Sequence, residues 1–159
     1  MNVRTYVKTQ GKPGIYFFSL DAGNRIIVEV ARKYFHLPYL NADIHFKREG
    51  IKKEFHCFRI DSRANPGEFH VTYFPSSKIY QSKQNTLENW LTERYCLYSI
   101  DFKGRLYRGK FIRPLQKAEC YIYNNTILKN HNIHILQSEP LIHYSESLKV
   151  AFFPLIPLF

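Results

Sequence analysis

The sequence predicts a mainly β fold of the α+β kind: a curled antiparallel or mixed sheet, or a partial barrel, with one packed helix. Three observations predict it. Roughly nine or ten short stretches alternate apolar and polar residues at the period of a strand. Turn residues recur between them at hairpin positions. One segment alone has convincing helical recurrence. A length of 159 residues with 45% hydrophobic content suits a single domain, residues 1–159, with a core of its own.

Residues 2–8 alternate, with Val3, Thr5 and Val7 on one side and Arg4 and Tyr6 on the other. Gly11-Lys12-Pro13-Gly14 turns the chain into residues 15–20, which completes a hairpin. Asp21 is placed to cap a helix over residues 22–35, where Ile27, Val30, Ala31 and Tyr34 recur at helical spacing. His36-Leu37-Pro38 ends that helix, because a residue before proline avoids the helical region. Residues 42–48 and 51–60 flank Glu49-Gly50 as a second hairpin. Asn65-Pro66-Gly67 breaks the chain before a strand over 68–74, and 75–85 reads as a polar loop. Thr86 opens a short helical segment to residue 93 whose apolar face is Leu87, Trp90 and Leu91. Residues 95–101 and 106–113 form a hairpin around Lys103-Gly104, followed by a strand over 116–123 and a helical turn over 125–130. Residues 133–136, 141–144 and 148–153 close the chain as short strands, and no internal repeat is visible.

The formal net charge is +10, which favours anionic partners. Lys103, Arg105, Arg108, Lys110, Arg113 and Lys117 follow one another with no acid between them. No helix-turn-helix, zinc-finger or RNA-recognition pattern accompanies them, so a solvated sheet face is expected rather than a nucleic-acid surface. Cys57, Cys96 and Cys120 lie far apart without CxxC spacing and read as buried thiols in a reducing cytoplasm. The N-terminal residues lack a signal-peptide core. The closing apolar run is short and broken by Pro154 and Pro157, so no membrane span is expected.

Standard catalytic signatures are missing: there is no G-x-S-x-G, P-loop, G-x-G-x-x-G or H-E-x-x-H. The seven histidines make no metal set by spacing; the close pair His131 and His134 lies in a polar turn and reads as surface histidines. No cofactor is expected. Arg4 has two readings. Pointing inward, it needs an anionic partner, since an unpaired buried charge is expensive. Pointing outward with Tyr6, it leaves Val3, Thr5 and Val7 to the core, which alternation favours. Arg94, at a helix-to-strand junction, either pairs with Glu93 or reaches into a pocket.

The segments Asn2-Val-Arg-Thr-Tyr-Val7, Gly14-Ile-Tyr-Phe-Phe-Ser-Leu-Asp-Ala22, Ala31-Arg32, Leu37-Pro-Tyr39 and Thr92-Glu-Arg-Tyr-Cys-Leu-Tyr98 together resemble the YqjF-like family of uncharacterised bacterial proteins. Pro114-Leu-Gln116, Ala118-Glu119 and Pro140-Leu-Ile-His-Tyr-Ser145 continue the resemblance over nearly the whole chain. Chains of that family begin upstream of the strand matching residues 2–7, so this chain is expected to correspond to the C-terminal part of a longer one. The resemblance leaves off before Pro114, where Lys110-Phe-Ile-Arg113 replaces the family's histidine and tryptophan.

The family is grouped by fold with acetoacetate decarboxylase, which forms a Schiff base through a lysine following a Phe-Pro pair. The stretch matching that site is Ala31-Arg-Lys-Tyr-Phe-His-Leu-Pro-Tyr39, which puts Tyr39 where the lysine would stand. A phenol cannot form an imine. Lys33 lies six residues away, and the decarboxylase's acidic residues have no counterpart in or before residues 2–7. What the resemblance implies is a cavity for a small carboxylate-bearing metabolite, with Arg4 holding the carboxylate and Tyr6, Tyr39 and Arg94 completing the lining. The alternatives are an electrostatic nucleic-acid binder using the basic hairpin and a non-functional fragment. Strands absent from a truncated sheet would expose an edge, and with it a route to a homo-oligomer.

Overall fold

Gly11 and Gly50 adopt left-handed backbone, φ 75° and 60°, and each closes a hairpin the sequence marks. Gly11 joins β1 (Asn2–Thr9) to β2 (Lys12–Ala22), and Gly50 joins β3 (Tyr39–Glu49) to β4 (Lys52–Arg59). A computed structural model describes residues 1–92, 96–101, 103–110, 116–133, 140–146 and 156–157. The remaining strands are β5 (Gly67–Pro75), β6 (Cys96–Ile100), β7 (Leu106–Lys110), β8 (Gln116–Asn125), β9 (His143–Tyr144) and β10 (Ile156–Pro157). They form one mixed sheet in the order β10-β7-β6-β2-β3-β4-β5-β8-β9, with β1 paired to β2 beside that path. The sheet curls into a half-barrel.

Strand β2 is the hub. It runs antiparallel to β1 but parallel to β3, with Leu20 opposite Tyr39, and parallel to β6, with Ile15 opposite Leu97. Parallel neighbours need a crossover, and helix α1 (Arg25–Phe35) supplies the one between β2 and β3. The core beneath it gathers Leu20, Leu37 and Leu97, with Phe17, Phe35 and Tyr39 packed against them.

Helix α1 departs from expectation at both its start and its face. Its N-cap is Asn24, whose Oδ1 accepts from the N–H groups of Ile26 and Ile27 at 3.0 and 3.1 Å. Asp21 is not the cap, because β2 continues to Ala22 and carries the Asp21 side chain into the interior. The buried helix residues are Val28 and Ala31, whereas Ile27, Val30 and Tyr34 are exposed. The apolar residues cover a broad arc opposite Arg25, Glu29, Arg32 and Lys33, and the buried stripe is one edge of that arc, so spacing alone did not select it.

The second helix, α2 (Leu87–Thr92), opens as expected: the Thr86 hydroxyl accepts from the Asn89 N–H at 3.2 Å. Its expected apolar face is not a core face, since Leu87 and Trp90 are exposed. The turn expected over 125–130 is a short 3-10 helix at Lys129–His131. The strand expected over 141–144 is confined to His143–Tyr144, and those expected over 133–136 and 148–153 lie, Ile133 apart, outside the described residues.

Candidate functional site

A β-bulge sets the geometry of the first strand. Val3 lies opposite Ser19 and Arg4 opposite Phe17, so Phe18 is the extra residue and the alternation of β2 is reset there relative to β1. Val3 is buried, while Arg4, Thr5, Tyr6 and Val7 are all half-buried. Neither alternating set is therefore the core set. Arg4 and Tyr6 stay adjacent, with the guanidinium carbon 6.0 Å from the Tyr6 ring centroid. Tyr6 in turn packs against Trp90 of α2, centroids 5.2 Å apart and planes tilted by 52°. Arg4 and Tyr6, together with Met1, Asn2, Val3, Leu128 and Ile133, line an open hollow of about 510 Å³. Among the described residues no carboxylate lies within ion-pair distance of Arg4.

Tyr39 is elsewhere. It is half-buried against the Leu20–Leu37–Leu97 cluster and does not line the Arg4 hollow. Burial pushes its phenol up from the ordinary value, so it stays protonated and can only serve as a hydrogen-bond donor or packing surface at neutral pH. The Arg32 Nη1 donates to its backbone carbonyl at 2.8 Å, which ties α1 to the start of β3. Arg94 lies outside the described residues. A second hollow of about 380 Å³ opens beside the C-terminal end of α1, lined by Tyr16, Arg32, His36, Tyr98 and Asp101 among others.

Behind Val3 lies a buried polar network that sequence reading did not assemble. Arg59 of β4, 1% exposed, donates from Nε to Asp21 Oδ1 at 2.6 Å and from Nη2 to Asp21 Oδ2 at 3.0 Å. The same Nη2 donates to Ser19 Oγ at 3.0 Å, and Ser19 Oγ stands 3.0 Å from His131 Nε2. Burial, with the nearby Arg59 charge, pushes the His131 imidazole down from its ordinary value. Ser19 Oγ accepts from Arg59, and it shares a hydrogen with His131 Nε2 whose donor is set by the ring's tautomer. The four side chains come from β2, β4 and the 3-10 turn, and no local spacing in the sequence joins them. The one available signal was the pair of polar residues, Ser19 and Asp21, on alternate positions of an otherwise apolar strand.

The remaining candidates resolve plainly. Cys57 is buried and all three cysteines are free. Burial pushes the Cys57 and Cys120 thiols up, which keeps them as thiols rather than nucleophilic thiolates. In the basic hairpin, Arg105 Nε pairs with Asp101 at 2.7 Å, so an acid just before the run neutralises part of it. Residues 111–113, before Pro114, lie outside the described residues.

The fold and hollow define a curled β half-barrel with an arginine on the rim of a partly apolar depression. The chain belongs to the DUF2071 family, described as an uncharacterized conserved protein, which it matches over residues 1–149. It is 42% identical over 159 residues to the uncharacterized protein YqjF of Bacillus subtilis (strain 168), an alignment covering 98% of this chain. The chain spans 64% of that relative's length. Among the described residues, no helix is long and apolar enough to cross a membrane.

Proposed function

We propose that this chain binds a small carboxylate-bearing metabolite in the hollow beside β1, with Arg4 as the anchor. The observation that carries the reading is the half-buried Arg4 guanidinium, which has no acidic partner among the described residues and sits beside the apolar Val3, Leu128 and Ile133. A guanidinium is suited to this because its planar fork gives two parallel charge-assisted bonds to a carboxylate. The hollow's size also falls in the range of small-ligand sites. Tyr6 supplies a phenol at the rim, and Trp90 holds the Tyr6 ring in place.

The finer part of the reading takes the half-barrel as an acetoacetate decarboxylase-like cavity lacking the imine-forming lysine. Tyr39, at the position matching the lysine, supports the absence of Schiff-base chemistry although it lies outside the Arg4 hollow, and Arg94 is the second cation of the proposed lining. Fold kinship alone does not supply a reaction, so no catalytic step is assigned.

The test is a panel of 2-oxo and simple carboxylic acids against the protein and its Arg4→Met variant, read by calorimetry and thermal shift. The expected result is saturable binding of at least one carboxylate, weakened about 10–100-fold in Arg4→Met, as loss of one charged hydrogen-bonding partner implies. No binding of any carboxylate, or equal binding by the variant, overturns the reading.

A further inference from the structure

Strand β2 divides one of its edges between two parallel partners. β1 runs along the other edge from Lys12 to Leu20. On the divided edge β6 pairs at Ile15 and Tyr16, and β3 takes over only at Leu20. Among the described residues, Phe17, Phe18 and Ser19 therefore have no strand beside them on that edge. The hollow of about 380 Å³ opens at this fork, with Leu37 and Pro38, which lead into β3, and Ser99, near the end of β6, in its lining.

The fold does not use up the polar groups there. Arg32 is half-buried, and its Nη1 donates to the Tyr39 carbonyl at 2.8 Å. Among the described residues its Nε and Nη2 have no acceptor, and no carboxylate lies within ion-pair distance. His36, one helical turn on, lines the same hollow. It carries the left-handed backbone that ends α1, φ 52°, a position where glycine is the residue free of steric cost. Ser99 is 2% exposed and its hydroxyl has no hydrogen-bond partner, a state that buried polar groups seldom keep. Asp101 also lines the hollow, but its carboxylate is withdrawn from water and paired with Arg105 at 2.7 Å. Phe17, Leu37 and Pro38 supply carbon surface, the first two as part of the core cluster beneath α1.

We infer that this fork binds a one-ring aromatic carboxylate, with the carboxylate held by Arg32 and His36 and the ring laid on Phe17, Leu37 and Pro38. The free edge of a guanidinium suits a carboxylate, and an imidazole adds an N–H donor. An acid no larger than acetate would leave the carbon surface wet, whereas a ring covers it and gains an aromatic contact with Phe17. One negative charge suits the hollow better than two, because the last carbonyls of α1 place partial negative charge beside it. The volume lies in the range of small-ligand clefts. This hollow and the Arg4 hollow share no lining residue, so the inference does not depend on that reading.

The experiment is calorimetric titration of the full chain with sodium benzoate, with benzamide, acetate and inorganic phosphate as comparisons. Saturable benzoate binding is expected, at least about 10-fold tighter than that of each comparison, as a charged hydrogen-bonded contact and a covered ring imply. Arg32→Met should weaken it about 10–100-fold and His36→Gly about 3–10-fold. Glycine suits the left-handed cap, so His36→Gly should melt no lower than the parent, and its weaker binding then reads the imidazole alone. Arg4→Met should leave benzoate affinity unchanged. Absence of saturable benzoate binding overturns the proposal, as does benzamide, acetate or phosphate binding as tightly as benzoate. Unchanged affinity in Arg32→Met and His36→Gly overturns it too, or in His36→Gly alone if Arg32→Met does not fold. Benzoate binding lost in Arg4→Met and kept in His36→Gly would place the ligand in the other hollow and overturn this inference while leaving that one standing.

Discussion

Arg59 and Asp21 face each other in a two-bond fork with both side chains fully withdrawn from water, Nε to Oδ1 at 2.6 Å and Nη2 to Oδ2 at 3.0 Å. The pair locks β4 to β2, which are not neighbours in the sheet, across the inside of the curl. Desolvating two charges offsets much of their attraction, so the pair adds little net stability, but neither partner can be removed alone. Asp21→Leu and Arg59→Met should each lower unfolding free energy by about 3–5 kcal/mol, while the two substitutions combined should lose less than the sum. Urea titration of the four proteins checks this; additive losses would show that the two residues act independently.

Gly14 is required for a close approach. A Cβ there would lie 2.4 and 2.8 Å from ring carbons of Tyr98 and 2.9 Å from the Cys96 carbonyl oxygen. Tyr98 cannot swing away, being 2% exposed with its hydroxyl donating to the Lys12 carbonyl at 3.0 Å. Gly14→Ala should therefore cost about 1–3 kcal/mol, the range for overpacking, with the loss visible as a lower denaturation midpoint.

Asn24 satisfies two of the orphan N–H groups at the start of α1. Asn24→Ala should destabilise the protein by about 0.5–2 kcal/mol, and Asn24→Asp should retain most of the stability. An equal loss in both variants would mean the side-chain oxygen is not what holds the helix start.

His131 gives the stability a pH dependence of known sign. Its folded-state value is depressed by burial and by the Arg59 charge, against an ordinary value of 6.5. Below pH 6.5 the unfolded chain takes up the proton first, so stability is lost as pH falls from there through the folded value. Replacing His131 with Gln should flatten that part of the stability–pH curve, measured by thermal unfolding between pH 7 and pH 5. A slope unchanged by the substitution would remove the Ser19–His131 bond from the account.

Local features were legible in the sequence and long-range ones were not. The hairpins around Gly11, Gly50 and Gly104 could be read because a left-handed turn residue announces itself locally. The YqjF-like resemblance, carried by residues along the whole chain, placed the family. The cap was misread because Asp21 and Asn24 are both good caps, and only the continuation of β2 decides between them. The orientation of Arg4 was illegible because Arg4, Thr5, Tyr6 and Val7 are all half-buried, so alternation marks no core face on β1. His45, His56 and His70 looked unrelated, being 11 and 14 residues apart, until register made them neighbours.

The three-way pairing of β2 has a consequence for how the chain is made. During synthesis β2 meets β1 and then β3 from nearby sequence, but the ribosome must reach Leu97 before the partner of Ile15 exists. Until then the nascent polypeptide carries a bare stretch of hydrogen-bonding backbone along the apolar middle of β2, open to capture by other emerging chains. A translational pause ahead of Leu97 should therefore raise the insoluble share of the product, and the same pause placed beyond β8 should not.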